Sequence, residues 1–265
     1  MRSAAIPRHR APRRGIRLVP AVARAAAIMS ALGNGQTDAR LTDLARGLGI
    51  HKSTAHGILG TLAAYDLVFR DRATGRYRLG PALVALGQAA GDRNSLGTLA
   101  RPHLARLSRL SGETVTLHLR DREGSVILLS EESPHQLKVT GPPGHRMPPF
   151  AGAVAKVLRA FGGPPMRRLP PSLPAYTPRS ITDRDRYRQE LERVRRAGVA
   201  YDEMEYLPGV RAISAPVRQG AHPGGEAVGA LSIVGVAARV SPEGLRRFAR
   251  PLRGAARALS QALRP

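Results

Sequence analysis

Apolar positions along the chain fall into blocks whose spacing changes from element to element. Val22, Ala25, Ala26, Ile28, Met29 and Leu32 recur at helical intervals, and Gly33-Asn34-Gly35 stops that helix. A shorter set, Leu41, Leu44, Ala45 and Leu48, ends at Gly49. A third helix starts at about His51 and buries Ala55, Ile58, Leu59 and Leu62. Two short apolar runs, Leu67-Val68-Phe69 and Tyr77-Arg78-Leu79, then flank a loop containing Gly75, which is hairpin patterning. Helix, helix, tight turn, helix and hairpin, in that order, predict a winged helix-turn-helix.

Pro81 to about Ala90 reads as a linking helix through Leu83, Val84 and Leu86, and Gly91-Asp92-Arg93-Asn94 marks a domain boundary. Leu99, Leu104, Leu107 and Leu110 form the next helix, closed by Gly112. The period then drops to two: Val115, Leu117 and Leu119 share one face of a strand, Asp121 to Gly124 turns, and Val126-Ile127-Leu128-Leu129 returns. Gln136 to Thr140 is expected as a third strand, followed by an irregular loop from Gly141 and a small-residue helix from about Ala151 to Phe161. Gly162 to Pro178 is too rich in proline for regular structure. Thr182-Asp183-Arg184-Asp185 fits a capping box for a charged helix ending at Gly198. Val210–Val217 and Ala227–Val236 are strands, and Ser241-Pro242-Glu243 starts a last helix with Leu245, Phe248, Leu252 and Leu259. The predicted class is α+β, with a mainly antiparallel sheet in the second half. Four segments are expected: a disordered basic arm at 1–17, the winged helix-turn-helix at 18–80, a linker helix at 81–93 and a second domain at 94–265.

A chain of 265 residues with 42% apolar content has room for two cores. Aromatics are only 4%, so Leu, Val, Ala and Ile must fill them. The absence of Cys excludes disulfides, cysteine-bound zinc, thiolate nucleophiles and cysteine-ligated iron–sulfur clusters. No run approaches 18 apolar residues, and the basic first 17 residues lack the apolar stretch of a secretory signal, so a cytoplasmic protein with no membrane partner is expected. The formal charge is +23, from 42 basic and 19 acidic residues. Such an excess points to a polyanion. Only Lys52, Lys138 and Lys156 are lysines, however, and Arg abounds together with Ala, Gly and Pro. That pattern equally fits coding bias spread over solvated faces, so location must decide what the charge means.

Location favours DNA. With the apolar set of the third helix turned inward, His51, Lys52, Ser53, Thr54 and His56 remain at its start and outer face, where base edges and phosphates come within reach. Lys52, Ser53 and Thr54 suit phosphate beside a helix N-terminus. Arg70, Arg72, Arg76 and Arg78 in the hairpin suit the neighbouring backbone or minor groove. Each of these side chains taken alone also fits a solvated charge. One recognition helix reads only a few base pairs, so two copies are expected, with Leu83, Val84, Leu86, Ala25 and Ile28 as candidate contacts.

The segments Val19-Pro20-Ala21-Val22-Ala23-Arg24-Ala25, Leu44-Ala45-Arg46-Gly47-Leu48-Gly49, Lys52-Ser53-Thr54, Leu59-Gly60-Thr61-Leu62 and Gly75-Arg76-Tyr77-Arg78-Leu79-Gly80 resemble the IclR family of bacterial transcriptional regulators. Gly209 to Val217 is similar to a late strand of that family, and the resemblance runs from about Val19 to Pro265. It implies a winged helix-turn-helix joined by a helix to a GAF-like effector-binding domain. It further implies dimers that pair into tetramers on palindromic double-stranded operators. The sequence departs from the family at Gly57, where an Arg is usual on the recognition helix, and at His51, where a Pro is common. The implied effector is a small organic acid or an aromatic compound. Its site lies after Gly144-His145-Arg146-Met147-Pro148, with the amides of Ala153 and Val154 capping a carboxylate and Asp202 and Ser232 as polar lining. Ala212 and Val234 fall where the family often has Cys and Ser, and Ala155-Lys156 where it has Gly-Lys. Those substitutions imply a ligand with one polar end and a sizeable apolar body. Read without the resemblance, Ser232 is equally a satisfied strand hydroxyl and Asp202 a turn residue.

No catalytic constellation is visible. The eight histidines show no zinc spacing, and there is no nucleophile elbow, phosphate-binding loop or dinucleotide fingerprint. Asp202 and Glu203 are adjacent, so on a strand their side chains point apart. No cofactor and no metal are expected. Two alternatives to a ligand-responsive regulator stay open: a small-molecule enzyme on the second domain, and a basic nucleoid-type protein that binds DNA without regard to sequence.

Overall fold

The computed structural model describes residues 18–33, 38–91, 96–121, 124–150, 152–163, 168–219 and 225–263. The proposed arm at 1–17, Asn34 and Gly35, the boundary residues 92–94 and parts of three predicted loops lie outside them. The chain divides into two compact units, Met1–Asp92 and Arg93–Pro265.

The first unit contains helices α1 (Pro20–Gly33), α2 (Leu41–Leu48) and α3 (Lys52–Ala64), strands β1 (Val68–Arg70) and β2 (Tyr77–Leu79), and helix α4 (Ala82–Gly91). Ile28, Leu32, Leu44, Leu59, Leu62 and Val68 meet in one core, closed by Tyr77. Gly49 ends α2 at φ 63°, and its N–H returns to the carbonyls of Ala45 and Arg46. This left-handed turn, open to glycine at no steric cost, sets the angle between α2 and α3. β1 and β2 pair antiparallel, and Ala39 adds a third rung by exchanging both backbone hydrogen bonds with Tyr77 (2.8 and 2.9 Å). A Cβ on Gly80 would sit 2.1 Å from the Asp66 carbonyl oxygen, so the hairpin returns to α3 through a position only glycine fits. Ile28, expected at a subunit contact, is wholly buried in this core and has no surface to offer a partner. Val84 and Leu86 of α4 are exposed.

The second unit is a six-stranded antiparallel sheet in the order β5-β4-β3-β8-β7-β6. Its strands are β3 (Thr114–Arg120), β4 (Ser125–Glu131), β5 (Arg146–Met147), β6 (Ala200–Glu203), β7 (Val210–Arg218) and β8 (Ala227–Val236). Helices α5 (Leu96–Ser111) and α8 (Pro242–Ala262) cover one face, burying Val115, Leu117, Ile213, Leu231 and Ile233. Helices α6 (Gly152–Phe161) and α7 (Arg184–Ala197) cover the other, over Ala200, Ala212 and Ala230. Both residue sets of the central strand β3 are buried, so Thr114, Thr116 and His118 are as buried as Val115 and Leu117 between them.

Three expectations change. Gln136–Thr140 forms no strand: Val139 gives its carbonyl to the Thr114 hydroxyl (2.7 Å), and the edge of the sheet is taken by Arg146–Met147. The N-cap of α7 is Asp183, whose carboxylate accepts from Arg186 N (2.7 Å); Thr182 lies outside the helix. Asp202 belongs to β6, paired with Ala212, so it is a strand residue. Ser241 caps α8 as predicted, accepting from Gly244 N.

Candidate functional site

Helix α3 offers its polar start to solvent. His51, Lys52, Ser53 and His56 are exposed and Thr54 is half-buried, while Ala55 and Leu59 face the core. His51 is the N-cap residue but makes no side-chain capping bond, so the first-turn amides keep their capacity for an anion. Gly57 lies on the same exposed surface, with nothing within 4 Å of where a Cβ would stand.

The hairpin is built stiff. The Asp71 carboxylate accepts from Ala73 N (2.9 Å) and Thr74 N (2.8 Å), which holds its pKa below the usual range, and Gly75 turns at φ 66°. Arg78 lies over the Phe69 ring (4.6 Å) and Arg70 over Tyr77 (5.8 Å), so both guanidinia are held against aromatic faces. Arg72 is exposed. Arg76 is half-buried and paired with Asp38 (3.1 Å), which spends part of its capacity for phosphate within the unit. The predicted DNA-facing residues thus come from two adjacent elements of one unit.

In the second unit, Ala153 and Val154 form the first turn of α6 and are buried against Ala212 and Val234. Register places Asp202, Ala212, Val234 and Thr114 side by side on four strands. The next row runs Ala200, Ser214, Ser232, Thr116 and Ser130. Ser214 and Ser232 share a hydrogen bond (2.9 Å), and Ser232 reaches the Ile213 carbonyl (3.3 Å). Asp202 accepts from Glu205 N (2.7 Å) and lies directly against Gly152, where a Cβ would come within 2.4 Å of the carboxylate. Burial pushes its pKa up to about 6, against the hydrogen bond from Glu205 that lowers it. Ala153, Val154, Ala212 and Val234 thus share one packed cluster, with Asp202 against the first residue of α6 and Ser232 one row further along the sheet.

Several groups escaped the sequence reading. Lys156 is buried, and its ammonium holds Glu205 (2.6 Å), Glu190 (3.2 Å) and the Tyr201 carbonyl (2.8 Å), tying α6 to α7 and to the end of β6. His118 is buried between Thr116 (Nε2 to Oγ1, 2.9 Å) and Ser125 (Nδ1 to Oγ, 3.4 Å), and burial lowers its pKa to about 3. Arg159 projects inward from α6 with only 6% of its surface exposed and lies 3.6 Å above the Phe150 ring. A hollow with room for about one water (≈10 Å³) opens there, lined by Ser125, Met147, Pro149, Phe150, Leu158 and Arg159, among others. None of Ala153, Val154, Asp202, Ala212, Ser232 or Val234 lines it. The alternation Thr114, Thr116, His118 was a legible signal for one polar face of the strand, without a signal that the face is buried.

Among the described residues, no cluster of His, Asp and Glu is arranged to hold a metal, and no helix is long and apolar enough to cross a membrane. Two family descriptions match: "IclR helix-turn-helix domain" over residues 21–72 and "Bacterial transcriptional regulator IclR C-terminal" over residues 88–261. The chain is 33% identical over 252 residues to the glycerol operon regulatory protein of Streptomyces coelicolor, covering 93% of this chain and 97% of that one. It is 30% identical to the transcriptional regulator XynR of Escherichia coli, over 93% and 98% of the two chains. A solved IclR transcriptional regulator from Alicyclobacillus acidocaldarius superposes with a TM-score of 0.85 at 30% identity, over 93% of this chain and all of the other. These relatives are named as regulators, and neither matched family is catalytic. With a helix-turn-helix unit followed by an α+β effector-binding unit, the chain belongs to the IclR family of bacterial transcriptional regulators.

Proposed function

We propose that this regulator binds a palindromic duplex operator as a dimer, or as a pair of dimers, and changes its DNA affinity when a small organic acid or aromatic metabolite enters the second unit. The observation that carries the DNA part is the uncapped, exposed start of α3, with Lys52 and Ser53, in the same unit as a hairpin bearing exposed Arg70, Arg72 and Arg78. Lys52, Ser53 and Thr54 engage phosphate, His51 and His56 approach base edges, and the hairpin arginines, with Arg76 the weakest because of Asp38, follow the adjacent backbone. Exposed Val84 and Leu86 on α4, together with exposed Val19 and Val22 at the start of α1, supply apolar surface for a second copy. In the second unit, Ala153, Val154, Ala212 and Val234 share one cluster with Asp202 against Gly152 and Ser232 one row along the sheet, which supports an effector held by amides and a few polar groups against an otherwise apolar wall.

The test is selection of bound sequences from a random duplex pool by the full-length protein, followed by titration of the enriched site at several salt concentrations. A two-fold-symmetric site is expected, with Lys52→Ala and Arg78→Ala lowering affinity for all sequences and each flattening the salt slope by about one. A pool that yields no preferred sequence refutes the operator reading and favours sequence-blind binding. Sedimentation that finds a monomer with and without the selected duplex refutes the dimer.

A further inference from the structure

We propose that the outward face of α8 is a second duplex-binding surface, which holds the phosphate backbone of DNA beyond the operator without reading its bases. The proposal rests on the regulator reading, which brings the duplex to the chain. Arg246, Arg250, Arg253 and Arg257 recur at intervals of four, three and four residues, so they form one stripe along α8, with Arg247 on its flank. All five are exposed, while Leu245, Leu252, Ala256 and Leu259 turn to the core. The stripe spans about 16 Å of helix axis, a length over which a duplex laid alongside presents about five phosphates of one strand.

The arginine excess of the whole chain does not account for the stripe, and α7 supplies the comparison. There, Arg188, Arg193 and Arg195 are interspersed with Asp185, Glu190 and Glu192 and pair with them. Helix α8 sets its five arginines against Glu243 alone, which pairs with Arg246 at the helix start (3.2 Å). Helix α5, on the same side of the sheet, adds Arg101, Arg106 and Arg109 and no acid. Among the described residues, no carboxylate pairs with Arg247, Arg250, Arg253 or Arg257. Coding bias multiplies arginine on every face, but it does not clear Asp and Glu from one. Arg253 donates to the Ala197 carbonyl (3.0 Å), whereas Arg247, Arg250 and Arg257 make no side-chain hydrogen bond among the described residues. Their planar forks match phosphate oxygens in pairs. Leu110 is the one large apolar side chain exposed on α5 or α8 among the described residues, so the face has no apolar anchors for a lipid surface. Because both units belong to one chain, duplex held through α3 stands at high local concentration for the second unit. Contacts too weak to bind alone then add to the affinity of the whole.

The experiment uses the full-length protein, native and with Arg247→Gln, Arg250→Gln and Arg257→Gln combined. These side chains are exposed, so thermal unfolding of the two proteins should coincide. Fluorescence anisotropy measures affinity for two duplexes: the site recovered from the random pool, and that site extended by about one and a half helical turns of unrelated sequence on each side. The native protein is expected to bind the extended duplex about tenfold more tightly than the site alone, and the triple variant to bind both alike. On the extended duplex the triple variant should also lose about three from the salt slope, one for each arginine, whereas Lys52→Ala lowers affinity for both lengths equally. Arg247→Lys, Arg250→Lys and Arg257→Lys combined, which keep the charge, should retain the gap between the two lengths. If no site is recovered, the proteins are compared on one random duplex, where the same loss of slope is expected; failure of the operator reading and failure of this surface are thus read apart. The same gap between long and short duplexes in the native protein and the triple glutamine variant overturns the proposal, as does the same slope in both on random duplex. It is overturned as well if phosphatidylglycerol vesicles, or single-stranded RNA of equal length, bind the native protein more tightly than the extended duplex and lose that binding in the glutamine variant.

Discussion

Replacing Asp202 by Asn tests whether the carboxylate at the start of α6 is held neutral by burial. Its carboxyl is 4% exposed, packs on Gly152, and is pushed from 3.8 to about 6 by loss of water. A displacement of that size is worth about 3 kcal/mol. The sign follows from proton counting. Below about pH 4, both folded and unfolded chains carry the proton, and the side chain contributes its full stabilisation. Between about 4 and 6 the unfolded chain releases the proton while the folded chain keeps it, so stability falls as pH rises. Above about 6 the folded chain carries a buried anion and the loss is complete. Asn has nearly the same shape, accepts the Glu205 N–H and never ionises. The stability of Asp202→Asn relative to the native protein should therefore rise by about 3 kcal/mol from pH 4 to pH 7. Urea unfolding followed by far-ultraviolet circular dichroism at half-unit pH steps measures it. His118 pulls the other way, since its pKa falls from 6.5 to about 3 on folding and the unfolded chain binds the extra proton. That contribution is common to both proteins and cancels in the difference. A difference that stays flat between pH 4 and 7 refutes the reasoning.

Lys156→Met should cost about 3 kcal/mol in urea unfolding, because Glu205 loses the cation that faces it while Glu190 keeps only Arg193 among the described residues; loss of Glu190 and Glu205 together with the lysine should cost less than the single change. Gly57→Ala, with open space where the methyl would stand, should raise the unfolding free energy of the first unit by up to about 1 kcal/mol. Gly80→Ala forces a methyl onto the Asp66 carbonyl and should displace the β1–β2 hairpin; hydrogen exchange at Tyr77 N is the readout, with faster exchange expected.

The elements of both units were legible because their signals are local. The period of Val22 to Leu32, the glycine at 49, the hairpin around Gly75 and the Ser241-Pro242 cap each act within one or two turns of chain, and each stands where it was read. The exposed face of α3 was legible for the same reason, since it is what remains once the apolar residues of the helix are placed inward. The strand expected at Gln136–Thr140 failed because its alternation carries no information about partners, and the edge position beside β4 went to Arg146–Met147. Burial of the polar face of β3 was equally out of local reach: Val139 and Gly141, on the irregular segment after β4, lie against Thr114 and Thr116. Local sequence determined the helices, the central strands and which side chains of α3 point outward. Tertiary packing alone decided that Asp202 meets Gly152 and that Lys156 gathers two carboxylates, because desolvation and charge pairing depend on neighbours that the sequence places tens of residues away.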